Sequence, residues 1–171
     1  EPGGTAIIPE DSRQRDRLVR AARDTAERVV TFGLSQDADV TAMHAVRAED
    51  GGYLITAQLR DSELTYTLSQ RGEHWVNNSL AVLAAVEAVG CDVAAAGLAL
   101  ADMSGLKGRG ERHVLGLEGG PALLIDESYN ANPASMAATL KSLGAETDAS
   151  RRIAVLGPMR ELGEHAEDLH A

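Results

Sequence analysis

The chain has 171 residues, of which 16 are basic and 26 acidic, so its net charge at pH 7 is −10. That charge excludes binding to a nucleic-acid backbone or an anionic membrane by bulk attraction, although a few local cations and backbone N–H groups would suffice for a phosphorylated small molecule. The single cysteine, Cys91, excludes an internal disulfide and is typical of a reducing compartment, so we expect a cytoplasmic protein.

The first third of the chain predicts an α/β sheet that continues into an antiparallel meander. Residues 5–8 and 29–32 are apolar strands, and Asp11 or Ser12 would cap the helix between them. Three segments then alternate apolar and polar residues and are separated by tight turns, at 40–46, 53–59 and 64–68. This pattern is typical of three antiparallel strands.

Two helices and a connector follow the meander. Apolar periodicity predicts helices over 75–89 and 93–103, and Gly90 would end the first of them. The stretch 104–112 is rich in glycine and cations, which predicts an exposed connector with a domain boundary after residue 108.

Beyond the connector, strands and helices alternate again. The predicted order is a strand at 122–125, a helix at 133–143, a strand at 152–156 and a helix that starts near Glu161. Short loops between such elements indicate a parallel sheet with right-handed crossovers. Because two strands are too few for a stable sheet, we expect this second domain to be incomplete.

The strongest chemical signal is the polar run from Asp126 to Asn132, which follows a predicted strand and opens a helix. Ligands of open α/β sheets bind beyond the carboxyl ends of strands, where helix N-termini point. Either Asp126 or Glu127 could hold ribose hydroxyls there, because a carboxylate accepts two such hydrogen bonds. A capped turn explains the same residues equally well.

Two weaker signals concern cationic and amide side chains. Arg109, flanked by glycines, could clamp phosphate oxygens with its planar fork, although a solvated hinge is the simpler interpretation. Asn77 and Asn78, near a helix start, could read a purine edge or simply cap the helix. The sequence has no phosphate-cradling G-x-x-x-x-G-K-[ST] loop, and the spacing of His165 and His170 argues against a metal site.

Four segments in this order resemble the ATP-dependent Mur ligases of peptidoglycan synthesis. They are Gly72-x-His74 with Asn78-Ser79-Leu80-Ala81; Gly108-Arg109; Asp126-Glu127-Ser128-Tyr129-Asn130-Ala131-Asn132-Pro133; and Leu156-Gly157-x-Met159-x-Glu161-Leu162-Gly163 with His170. The Tyr-Asn-Ala-Asn-Pro and Met-x-Glu-Leu-Gly runs resemble the motifs at these places in the branch of the family that adds D-alanyl-D-alanine.

The resemblance implies an interior slice of a three-domain enzyme. Residues 1–108 would be the later part of its central ATPase α/β domain, with an antiparallel meander and two helices, and 109–171 the start of its Rossmann-like C-terminal domain. This branch joins D-Ala-D-Ala to UDP-MurNAc-tripeptide through an acyl-phosphate, with ATP and Mg²⁺. The family's P-loop, its Mg²⁺ ligands and its carbamylated lysine lie upstream, so the catalytic set is incomplete here. We therefore expect the chain alone to be inactive and to bind neither ATP nor Mg²⁺ tightly.

The resemblance also assigns cofactor-binding residues. Asn78 matches a family asparagine that contacts adenine, and Arg109 matches the arginine that reaches the ATP phosphates. The pair Asp126 and Glu127 matches the ribose site, and Asn130 belongs to the same cofactor-binding run. Two positions depart from the family pattern: Trp75 stands where a first adenine-contacting asparagine is usual, and Pro158 replaces an aspartate.

Two alternatives remain at this stage: a short non-catalytic module that binds a nucleotide or a partner, and another ligase of the superfamily such as folylpolyglutamate synthase. The Tyr-Asn-Ala-Asn-Pro run counts against the second. No apolar run approaches the roughly 20 residues that cross a bilayer, so we expect no membrane insertion. We expect the parent enzyme to be a monomer, whereas open sheet edges could let this chain self-associate.

Overall fold

The computed structural model describes residues 3–103, 105, 107–147 and 149–170. Backbone contacts divide the chain into two compact units, Glu1–Met103 and Ser104–Ala171. The division falls after residue 103, whereas the sequence predicts a domain boundary after residue 108. Among the described residues, no helix combines the length and apolar character needed to cross a lipid bilayer.

A five-stranded mixed sheet forms the centre of the first unit. Its strands are β1 (Thr5–Pro9), β2 (Arg28–Gly33), β3 (Val40–Arg47), β4 (Tyr53–Gln58) and β5 (Glu63–Leu68), and its helices are α1 (Arg15–Arg23), α2 (Glu73–Ala88) and α3 (Val93–Ala101). The strand order is β1-β2-β3-β4-β5, with β1, β2 and β3 parallel and the remaining pairs antiparallel. The predicted strands and the predicted meander are thus confirmed, and they form one sheet.

Alternation along the strands buries one face of this sheet against α2 and α3. Ile55 and Ala57 of β4 are fully buried and pack in one cluster with Leu80 and Leu83 of α2. The helix α3 approaches β5 closely at Gly97, where an added Cβ would lie 3.1 Å from Leu64 and 3.2 Å from Tyr66. Small residues on this helix therefore allow tight packing on the sheet.

The helix ends differ in how well the sequence locates them. Gly90 follows α2 with a φ of +70°, as the sequence predicts for the residue that ends this helix. The predicted caps of α1, Asp11 and Ser12, are wrong, because the helix begins at Arg15 after Gln14. The Ser12 hydroxyl instead accepts a hydrogen bond from the Gln14 backbone N–H at 3.2 Å, which orders the turn before the helix.

The second unit begins with a hairpin that the sequence does not predict. Its elements are β6 (Glu111–Leu117), β7 (Gly120–Asp126), α4 (Pro133–Gly144) and α5 (Ala166–His170), with one 3₁₀ turn at Gly163–His165. β6 and β7 are antiparallel, so the predicted connector is wrong from residue 111 onwards. Gly120, the first residue of β7 after the turn, has a φ of +117°, which glycine adopts without steric cost.

The predicted parallel partner of β7 is not formed. Among the described residues, 152–156 belong to no strand, and Ile153 and Val155 remain exposed at 65% and 94%. The hairpin brings together residues that are close in sequence, whereas a parallel partner must close across α4 at a larger entropic cost. The predicted helix near Glu161 also starts later, at the 3₁₀ turn before α5.

A partly buried ion pair links β6 to the segment that follows α4. The Arg112 guanidinium donates two hydrogen bonds to the Glu146 carboxylate, Nη1 to Oε1 at 3.0 Å and Nη2 to Oε2 at 2.8 Å. Arg152 donates from Nε to the Glu146 carbonyl oxygen at 2.8 Å. Glu146, which follows the end of α4, therefore binds both β6 of the hairpin, through Arg112, and the start of the next segment, through Arg152.

Candidate functional site

The candidate site lies where β7 ends and the chain turns into α4. The Ser128 backbone N–H donates to Asp126 Oδ1 at 3.0 Å and closes an Asx turn. Hydrogen bonds from the Ser128 side chain and backbone lower the pKa of the Asp126 carboxyl, and the charges of His113 and Lys107 add to the effect. Asp126 therefore stays ionised at neutral pH and remains a hydrogen-bond acceptor.

A capping box starts α4 and uses part of the polar run. The Ser135 N–H donates to Asn132 Oδ1 at 2.9 Å, and the Asn132 N–H donates to Ser135 Oγ at 3.0 Å. Pro133 occupies the first helical position. The capped-turn interpretation thus holds for Asn132, and Asn130, which accepts from the Ala131 N–H at 2.9 Å, stays exposed.

The backbone around Arg109 runs alongside the end of β7. The Gly110 N–H donates to the Asp126 carbonyl oxygen at 2.9 Å, and the Tyr129 N–H donates to the Gly108 carbonyl oxygen at 3.1 Å. Gly108 has a φ of +72°, and a Cβ there would lie 3.0 Å from the Tyr129 backbone nitrogen and Cβ. Only glycine fits this position without strain.

Two carboxyl groups and one guanidinium group lie at the turn between β7 and α4. Partial burial of its carboxyl group raises the pKa of Glu127, and the negative charge of Asp126 raises it further. The Arg109 charge and a hydrogen bond from the Gly110 N–H oppose that shift. The Arg109 guanidinium carbon lies 4.1 Å from the centroid of the Tyr129 ring, in a cation–π arrangement.

The structure thus brings together four of the predicted site residues: Arg109, Asp126, Glu127 and Asn130. Beside them lies a cavity of about 750 Å³ within the second unit. One side of the cavity is formed by 123–131 of β7 and the turn after it, and the other by Ile153, Val155, Leu156, Gly157, Pro158 and Arg160. A cavity of this size is in the range of small-molecule sites.

Asn78 lies in the first unit, on the second turn of α2, where it is exposed. The helix begins at Glu73 after Gly72 and has no side-chain cap, so the capping interpretation of Asn77 and Asn78 is wrong. Next to Asn78, the buried Asn77 Oδ1 has no hydrogen-bond partner among the described residues. His74 and Trp75 contact each other with ring centroids 5.7 Å apart, and burial lowers the pKa of His74.

His170 holds the loop that carries the Leu-Gly-x-Met-x-Glu-Leu-Gly motif at 156–163. The Met159 N–H donates to His170 Nε2 at 2.8 Å, so Nδ1 of that ring is the donor to the Ala166 carbonyl oxygen at 2.6 Å. This contact joins two residues of the same sequence motif. It assigns His170 a structural part in holding the loop before the 3₁₀ turn.

Sequence reasoning missed two contacts at this site. It gave Tyr129 no role beyond its motif, and it did not identify Glu146. Both pair with residues far along the chain, Arg109 and Arg112, and no local spacing indicates such partners. A glycine on each side of Arg109, together with a tyrosine after the strand, is the one signal that could have suggested the first contact.

The part of the chain that the structure describes does not form a site for a divalent cation. The described residues contain no group of three or more His, Cys, Asp or Glu side chains that could hold a metal ion. The side chains suit a nucleotide better, since an arginine and two carboxyl groups, of which Asp126 is ionised at neutral pH, lie at one junction beside a cavity.

Comparisons with known proteins identify the family. The family model of the Mur ligase middle domain matches residues 1–86, and that of the Mur ligase, glutamate ligase domain matches residues 108–171. The resemblance found in the sequence is thereby confirmed.

Curated relatives include two kinds of ligase. The UDP-N-acetylmuramate–L-alanine ligase of Streptomyces avermitilis is 35% identical over 157 residues, which are 91% of this chain and 32% of that protein. The UDP-N-acetylmuramoyl-tripeptide–D-alanyl-D-alanine ligase of Mycobacterium tuberculosis is 34% identical over 149 residues, 85% of this chain and 29% of that protein. The chain therefore spans about a third of the length of the curated relatives it matches.

Solved structures agree on the architecture. A crystal structure of MurF from Acinetobacter baumannii is similar with a TM-score of 0.84 and 27% identity, over 99% of this chain and 35% of that one. MurF of Thermotoga maritima in complex with ADP has the same fold, with a TM-score of 0.72 and 22% identity over 99% of this chain and 37% of that one. The predicted fold class is confirmed.

Proposed function

The chain belongs to the Mur ligase family, and we propose that the protein containing it is the ATP-dependent ligase that joins D-Ala-D-Ala to UDP-MurNAc-tripeptide in peptidoglycan synthesis. The observation that carries this choice is the likeness to MurF over nearly the whole chain, at a TM-score of 0.84. The Tyr-Asn-Ala-Asn-Pro run at 129–133 and the Met-x-Glu-Leu-Gly run at 159–163 support the same branch.

A second candidate is addition of L-alanine to UDP-N-acetylmuramate. The observation that favours it is the 35% identity to ligases of that kind in Streptomyces avermitilis. The two reactions use different acceptors and different amines, so a substrate comparison separates them.

This chain's contribution is to hold the nucleotide. ATP, when bound, supplies the phosphoryl group that activates the substrate carboxylate. Arg109 binds the phosphate oxygens through its N–H edge, and the carboxylates of Asp126 and Glu127 accept from the ribose hydroxyls, with Asn130 beside them. Asn78 contacts the base. Because Asp126 is ionised at neutral pH, it accepts these bonds without first losing a proton.

We place the reaction in the cytoplasm, where ATP is available, and take the enzyme to be a monomer. The phosphate loop and the Mg²⁺ ligands of the family have no counterpart in this sequence. The 171 residues alone are therefore expected to release no phosphate from ATP, in a coupled assay with both substrates present.

The assignment of Arg109 is tested by Arg109→Gln in the full-length protein. We expect the KM for ATP to rise about ten- to a hundredfold, because hydrogen bonds to charged groups contribute about 1.5–3 kcal/mol. The control is Arg151→Gln, which neutralises an exposed arginine of the same unit and should leave that KM unchanged. An unaltered KM for ATP in Arg109→Gln would remove Arg109 from the site.

A further inference from the structure

The backbone on either side of Arg109 is fixed to the turn after β7. The hydrogen bond from the Gly110 N–H to the Asp126 carbonyl and the one from the Tyr129 N–H to the Gly108 carbonyl bracket the arginine. Gly108 also packs directly on Tyr129, with no room for a side chain between them. Tyr129 therefore has a defined position beneath Arg109 although 66% of its own surface is exposed.

The ring contacts the guanidinium through its face. At 4.1 Å from the ring centroid, the guanidinium carbon lies within the range of a cation–π contact. The ring face is not a carboxylate or a carbonyl, so this contact leaves the N–H donors of Arg109 available to another hydrogen-bond acceptor. Among the described residues, no carboxylate forms an ion pair with Arg109 within 4.0 Å.

The Glu127 carboxylate is a competing partner. It lies beside Gly110, the residue after Arg109, where an added Cβ would be 3.6 Å from Glu127 Oε1, and the opposite charges of Arg109 and Glu127 attract each other. If Arg109 were released from the ring, a bidentate pair with Glu127 would occupy the N–H donors that a phosphate needs. The contact with the tyrosine ring opposes that pairing without placing a carboxylate on those donors.

We propose that Tyr129 is a positioning residue for Arg109: the face of its ring holds the guanidinium and opposes pairing with Glu127, so that N–H donors of Arg109 stay available to the phosphate oxygens of the nucleotide. This inference rests on the proposed function, since it presumes that Arg109 binds phosphate. It gives the tyrosine of the 129–133 run a role that differs from capping or packing.

The test compares Tyr129→Leu and Tyr129→Phe in the full-length protein, with kcat and the KM for ATP measured separately. Leucine removes the cation–π contact, which contributes about 0.5–1 kcal/mol at an exposed site, so the KM for ATP should rise about two- to fivefold with little change in kcat. Phenylalanine keeps the ring and should restore most of the affinity. Val114→Ala, at an exposed position of β6, serves as the control.

Three results would overturn the inference. A purely structural role predicts a lower active fraction, which reduces kcat and leaves the KM for ATP unchanged in Tyr129→Leu. A KM in Tyr129→Phe as high as in Tyr129→Leu would show that the ring face is not what matters. An equal effect of Tyr129→Leu in wild type and in Arg109→Gln would show that the two residues act independently.

The inference and the proposed function fail in different ways. If Arg109→Gln leaves the KM for ATP unchanged, the phosphate assignment itself is wrong. If Arg109→Gln raises that KM and Tyr129→Leu does not, only the positioning role is wrong. Thermal unfolding of each variant confirms that the comparison is made on folded protein.

Discussion

Tyr66 and Ser79 form a buried polar contact in the first unit. The two hydroxyl groups lie 2.6 Å apart in the core, and the Ser79 hydroxyl also donates to the Val76 carbonyl oxygen at 2.7 Å. Burial raises the pKa of Tyr66 to about 12, because the phenolate would lose its hydration there. The hydrogen bond between Tyr66 and Ser79 offsets that penalty only in part.

Stability should therefore fall at high pH through Tyr66. Its pKa is about 10 in the unfolded chain and about 12 in the folded one, so the folded state keeps the proton longer. The stabilisation is complete below pH 10 and is lost as the pH rises to 12, on the order of 2 kcal/mol in the free energy of unfolding. Urea titrations at pH 9 and pH 11.5 measure the loss.

Tyr66→Phe should flatten this dependence, and it should lower stability at pH 7 by about 0.5–1.5 kcal/mol through the lost hydrogen bond. Tyr53→Phe, in the neighbouring strand β4, is the control and should keep the wild-type slope. An unchanged slope in Tyr66→Phe would contradict the assignment.

Glu146 is a second residue whose substitution should strongly change the free energy of unfolding. Its side chain is 11% exposed and its carboxylate is held by both ends of the Arg112 guanidinium. Glu146→Gln leaves a partly buried arginine without its counter-charge, so the free energy of unfolding should fall by about 1–3 kcal/mol. Urea unfolding followed by circular dichroism measures it. Glu118→Gln, on the exposed hairpin turn, should stay within about 0.5 kcal/mol of wild type.

At the scale of elements, the helix α4 shows what local sequence can decide. Asn132 and Pro133 predict the start of this helix, and the capping box confirms it. Asn132→Ala should lower the stability of the second unit by about 1 kcal/mol, since the Ser135 N–H loses its acceptor. The matched control is Asn130→Ala, whose side chain caps no helix. Equal losses in the two variants would mean that the box contributes nothing.

The errors of prediction share a physical cause, which is distance along the chain. The meander was predictable because each strand pairs with its neighbour, and turn residues such as Asp50 and Gly51 mark the connections. The partner of β7 was not, because 111–117 and 152–156 each contain a short apolar run, and nothing local chooses between them. The contacts of Arg109 with Tyr129 and of Arg112 with Glu146 escaped for the same reason.

At the scale of the whole molecule, the net charge of −10 is a poor guide to the ligand. The cation proposed to bind phosphate lies between two glycines, and its charge acts on the Glu127 carboxyl. Local arrangement therefore outweighs the overall balance, because interactions beyond a Debye length of about 8 Å are screened at physiological salt.

The central claim is the reaction, and phosphate release by the full-length protein tests it most directly. The assay compares UDP-MurNAc-tripeptide plus D-Ala-D-Ala with UDP-N-acetylmuramate plus L-alanine, both with ATP and Mg²⁺. The proposal predicts phosphate release that depends on D-Ala-D-Ala in the first mixture and only background in the second. Release in the second mixture with background in the first would contradict it and would assign the L-alanine reaction of the Streptomyces relatives.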